Sequence, residues 1–230
     1  MKKLVAVLLT LVTLFCLPGS AMAQELKLSE ISDDSVTAEV IPPKDVSVDK
    51  AARSTDKVTR SSGKVTITTD SGLVIKMDIP DNVYTLTQNY LMDIDLYNAF
   101  YSDPTTMLQR FIERGMHLNF FRCGDSNYDA YLYVYPDDSI GAYIGEANSL
   151  TENDADSIAS YLSGQLDVSF VYGKLGDQVW FLGDDVASNQ AVWLFTWVNK
   201  SMVKIVVQVT NASEADEVLN VVSNLKITAG

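Results

Sequence analysis

The chain has 230 residues, 47% of them hydrophobic, a formal net charge of −13, two cysteines and a single histidine, His117. A field of that sign repels nucleic acid and anionic lipid surfaces, because both are bound by cationic side chains that displace counterions. Nucleic acid is therefore excluded as a partner, and so is any site that needs several histidines or cysteines.

The amino-terminal end has a basic start, Lys2 and Lys3, an apolar run from Leu4 to Leu17, and a break at Pro18 and Gly19. Ala21 and Ala23 then precede Gln24 in a small-residue pattern, which predicts a signal peptide over 1–23, cleaved after Ala23. The run is shorter than the roughly 20 apolar residues that span a bilayer. Cys16 follows the bulky Phe15, where a lipobox needs a small residue, so lipidation is not expected. Cleavage would leave 15 basic against 30 acidic residues, a net charge of −15. With no later apolar span, the mature chain is expected to be secreted, extracellular or envelope-associated. Cys123 is then the sole cysteine, which forbids an intramolecular disulfide and leaves either a buried thiol or an intermolecular bridge.

Between Gln24 and Gly63 there is no aromatic residue, and Ser, Thr, Asp and Lys are frequent around Pro42 and Pro43. That composition predicts a flexible, acidic and polar linker over 24–63. Lys64 to Gly230 reads as a single domain, long enough to bury about two-thirds of its unfolded surface.

The domain opens with a hairpin, Val65 to Thr69 and Leu73 to Ile79, turning through Asp70, Ser71 and Gly72 and ended by Pro80. Tyr84 to Tyr101 predicts a short edge strand, a loop and a short helix from Ile94 to Tyr101. A clear helix follows, with Asp103 as N-cap, Pro104 first, Met107, Leu108, Phe111 and Ile112 on one face, and Gly115 at its end. His117 to Arg122 and Ala130 to Tyr135 are strands joined through Gly124 to Asn127. Thr151 caps a second helix that presents Ala155, Ile158, Ala159 and Leu162. Asp167 to Tyr172, Gln178 to Leu182, Gln190 to Val198 and Met202 to Thr210 form an antiparallel meander. A last helix opens at Ser213, with Asp216 in the capping box, and buries Val218, Val221, Val222 and Leu225. The expected fold class is α+β, an antiparallel sheet of about six to seven strands sandwiched between helices.

That order resembles the PsbP-like fold, on Ile79-Pro80-Asp81 after the hairpin, Tyr84-Thr85-Leu86-Thr87, the passage from Gly115 to Phe121, and the closing meander and helix. The chain is more closely similar to secreted proteins of Gram-positive bacteria, the Firmicutes above all. The resemblance spans about Lys64 to Ile227. It implies a binding or assembly factor and no enzyme, with no catalytic motif to carry over.

The residues themselves favour no reactive centre. His117 and Cys123 lie six residues apart on one strand, about 20 Å, too far for a nucleophile pair unless the strand bends. No metal site is expected, since zinc would need ligands beyond one His and one Cys. Glu152, Asn153, Asp154 and Asp156 lack the calcium-loop spacing and suit the first turn of a helix; Asp137-Asp138 and Asp184-Asp185 read as turn acids. No Gly-rich phosphate loop or dinucleotide fingerprint appears, so no cofactor is expected.

Tyr131, Tyr133 and Tyr135 share one face of a strand whose other face is Ala130, Leu132 and Val134. Exposed, that ladder suits a protein partner or a sugar ring; covered by a helix, it is core. Trp193, Phe195 and Trp197 form a second stripe, expected to be core. The leading expectation is a secreted, non-catalytic binding domain for a protein partner. An envelope carbohydrate-binding module is the alternative, and a carboxylate-dependent hydrolase the third reading.

Overall fold

Period-two alternation dominates the chain, and the backbone follows it. The computed structural model describes residues 54–230, apart from 101, 102 and 124–126. The expected signal peptide, and the linker up to residue 53, lie outside the described residues.

The strands form two antiparallel sheets. In the first, β1 (Lys57–Ser61), β2 (Lys64–Thr68), β3 (Leu73–Asp78) and β11 (Lys226–Ala229) lie in the order β1-β2-β3-β11. The β2–β3 turn is as expected: Thr69 Oγ1 accepts the Leu73 N–H at 3.1 Å, and Gly72 takes φ +80°, which glycine adopts without a Cβ clash. In the second, β4 (Tyr84–Thr87), β5 (Met116–Arg122), β6 (Tyr128–Pro136), β7 (Phe170–Leu175), β8 (Gln178–Asp185), β9 (Ala191–Val198) and β10 (Ser201–Val209) lie in the order β4-β5-β6-β10-β9-β8-β7. The meander β7 to β10 is present as expected.

Two expectations need correction. The stretch 24–63 is not a linker throughout, because Lys57 to Ser61 pair with Thr68 to Lys64 as β1. That strand carries only Val58 as an apolar residue, so pairing rather than burial holds it, and composition gives no sign of it. The single sheet is also two. The opening hairpin leaves the main sheet and is completed by β11, a strand that the periodicity does not predict.

A row of aliphatic residues runs across five strands of the seven-stranded sheet: Leu182 opposite Leu194, then Ile205, Leu132 and Leu118. It packs in one buried cluster with Val65, Ile67, Leu73, Ile75 and Met77 of the four-stranded sheet. Val218, Val221 and Val222 of the last helix join the same cluster. The cover expected from helices thus comes in large part from the second sheet.

The helices start where side chains satisfy their first N–H groups. Helix α1 (Tyr90–Phe100) begins a turn earlier than expected, after Asn89, whose Oδ1 accepts the Met92 N–H at 3.3 Å. Its Asp93 is buried and accepts hydrogen bonds from Arg60 of β1 and from the Thr87 N–H and hydroxyl, tying both sheets to the helix. Helix α2 (Pro104–Glu113) is capped as expected, Asp103 accepting the Thr106 N–H at 3.2 Å. Asp103→Ala is expected to cost about 1 kcal/mol in urea unfolding. An unchanged midpoint would show that the cap contributes nothing.

After α3 (Ile140–Ile144) and a 3₁₀ turn (Ala147–Ser149), helix α4 (Glu152–Leu166) has Thr151 as its cap and packs along β7. The short α5 (Val186–Asn189) joins β8 to β9. Helix α6 (Ala212–Ser223) is capped by Asn211, whose side chain accepts the Glu214 N–H at 3.1 Å, and not by Ser213. The reason lies in Glu214. Its buried carboxylate accepts the Thr210 N–H at 2.6 Å and the Asn127 N–H at 3.1 Å, which fixes the helix start two residues earlier.

Candidate binding face of the seven-stranded sheet

Alternation along β6 sends Ala130, Leu132 and Val134 into the shared core and puts Asp129, Tyr131, Tyr133 and Tyr135 on the opposite face. The register extends that face sideways. Lys204 lies opposite Tyr133 and Met202 opposite Tyr135, while on β9 Phe195 lies opposite Lys204 and Trp193 opposite Val206.

The tyrosines are not an open ladder. Tyr131 is 5% exposed, Tyr133 is 8% exposed, and Tyr135 is half-buried. The three tyrosines share a face as the alternation predicts, but that face is not the flat exposed surface expected of it, because Tyr131 and Tyr133 are covered. Phe195 and Trp197 are buried, as expected of core residues, and Trp193 is half-buried.

Their contacts form a continuous row. The Lys204 ammonium sits 4.9 Å from the Trp193 ring centre and 5.7 Å from that of Tyr133, within cation–π range. Tyr133 and Tyr135 stack with ring centres 6.0 Å apart and planes 8° from parallel. The Tyr135 hydroxyl donates to the Arg114 carbonyl at 3.0 Å. At the two ends of the row, Trp193 Nε1 and Arg114 Nη1 are buried with no acceptor among the described residues. Burial pushes the Tyr135 hydroxyl up to about 12, with the Arg114 charge opposing it. Burial raises Tyr133 further, helped by the neighbouring Tyr135. Both therefore keep their protons near neutrality and remain hydrogen-bond donors.

The acids of this region are held by partners. Asp129 accepts hydrogen bonds from Asn119 and Tyr131, and Asp137 from Trp197 Nε1 at 2.7 Å and the Ser139 N–H at 2.9 Å. Asp137, expected as an ordinary turn acid, is 5% exposed and fixes the Trp197 indole.

His117 and Cys123 are not brought together as a pair. Cys123 is exposed just past the end of β5, whereas His117 near its start is buried with Nδ1 2.7 Å from Asp56 Oδ2. Asp56, Asp70 and His117 each place one potential ligand atom within 4.8 Å of the others. Sequence reasoning missed this group, because Asp56 fell in the supposed linker and Asp70 in a turn. The one signal available was the solitary histidine. Among the described residues no helix is long and apolar enough to cross a membrane. No family model, curated protein or solved structure matches the chain.

Proposed function

We propose that the chain is an exported, non-catalytic binding or assembly domain of PsbP-like layout, which takes a protein partner on the row from Trp193 through Lys204, Tyr133 and Tyr135 to Arg114. The two unpaired donors, Trp193 Nε1 and Arg114 Nη1, carry this reading. A buried donor without an acceptor costs about 1–3 kcal/mol, and a carbonyl or carboxylate from a partner would recover it. Both atoms are covered, so docking includes a local opening of this face. The aromatic rings supply large rigid contact area of the kind that anchors interfaces. The opening hairpin, the closing meander and the last helix support the fold label, and the basic start and small-residue cleavage pattern support export.

The test is affinity capture from the host's own envelope and medium, comparing the native chain with a Trp193→Phe, Arg114→Gln double variant. Retention of a protein by the native chain, weakened roughly 10-fold or more in the variant, is the expected result. Equal retention by both would remove the row from the reading. The parallel Tyr133 and Tyr135 rings favour a second ligand, a sugar ring of an envelope glycan. A glycan array answers it, since binding has to appear and then disappear in Tyr133→Ala.

A further inference from the structure

Three segments distant in sequence meet at His117. Asp56 immediately precedes β1, and the pairing of Lys57 with Thr68 sets it beside the end of β2, where the turn to β3 holds Asp70. His117 arrives from the other sheet. The β5–β6 register slips between Met116 and Leu118, and a bulge of this kind re-aims a side chain that regular alternation would send to the opposite face. Leu118 faces the shared core, and His117 meets Asp56 of the four-stranded sheet's leading edge.

The Asp56 side chain is 1% exposed, and its Oδ2 contacts His117 Nδ1, while its Oδ1 is buried without a hydrogen-bond partner among the described residues. Buried carboxylate oxygens are nearly always paired. Here a second carboxylate, that of Asp70, is close by instead, and it brings like charge. One histidine neutralises at most one of the two acids. We propose that Asp56, Asp70 and His117 form a site for a divalent transition cation such as Zn²⁺. Two carboxylates and a neutral imidazole carry the charge that a dication cancels, and Asp56 Oδ1 gains the partner it lacks. One nitrogen and two oxygen donors match Zn²⁺ better than Ca²⁺, which takes six to eight oxygens. Asp70 is exposed, so the ion has an entry path and keeps a side open to water.

The test uses the full chain stripped of metal with a chelator and titrated with Zn²⁺ by calorimetry, with the thermal midpoint as a second readout. One ion per chain is expected, with a rise in Tm on binding. Asp70→Asn and His117→Gln should each weaken binding roughly 10-fold or more and abolish the rise in Tm. Because Asp70 lies at the surface, its variant reads the site even if His117→Gln fails to fold. Absence of Zn²⁺ binding, or equally tight binding by Asp70→Asn, would overturn the site. Preferential binding of Ca²⁺ would overturn its assignment to a transition cation.

Discussion

A Gly176→Ala chain is expected to lose about 2–5 kcal/mol of stability, lowering the thermal midpoint by roughly 10 °C in a domain of this size. Gly176 sits in the two-residue turn between Leu175 and Gln178 with φ +60°. A Cβ there would be forced into the left-handed region, at about 1–2 kcal/mol. It would also overlap the carbonyl oxygen of Ser223, the last residue of α6, and a backbone atom cannot swing aside as a side chain can. The turn therefore has to approach the helix end closely, which ties one edge of the large sheet to the helix that shares the core with both sheets. Gly145 is the control. Its φ is +69°, but nothing lies within 4 Å of an added Cβ, so Gly145→Ala should show the backbone cost alone. Equal losses in the two variants would refute the close approach.

The second large effect depends on pH. Burial pushes the Asp129 carboxyl from 3.8 up to about 6, against hydrogen bonds from Tyr131 and Asn119 that pull it down. Between those values the folded chain holds a proton that the unfolded chain has released. Stability is therefore greatest below the unfolded value and falls as pH rises through about 6, by about 3 kcal/mol in all. Asp129→Asn cannot ionise. Urea unfolding of both chains at about pH 4 and about pH 7 should show the variant gaining about 2 kcal/mol on the native chain over that interval, the rest of the effect lying below about pH 4. A stability difference that stays constant with pH would show that Asp129 is ionised at little cost. The same carboxylate lies on the tyrosine face, so its charge state sets how polar that face is when it opens.

Much of the local structure could be read from neighbouring residues. The Asp103-Pro104 start of α2, the hairpin around Gly72 and the meander β7 to β10 all follow from signals within a few residues, because caps, turns and alternation are short-range physics. Less regular places misled. Asn211 and Ser213 are both good caps, and the choice between them was made by Glu214 reaching Thr210 and Asn127. Strand β1 has almost no apolar residues, so only its partner β2 makes it a strand. The group of Asp56, Asp70 and His117 could not be read at all, since its members are local only after two sheets have packed.

By itself the sequence determined the strand and helix periods, the acidic charge, the scarcity of histidine and cysteine, and which residues share a sheet face. Only the tertiary structure decided that the sheet is two sheets, that Tyr131 and Tyr133 are covered, and that a lone histidine meets two carboxylates. The division has a physical cause. Alternation and capping are settled within a few residues, whereas cover and convergence are set by contacts between segments tens of residues apart, which no local pattern encodes.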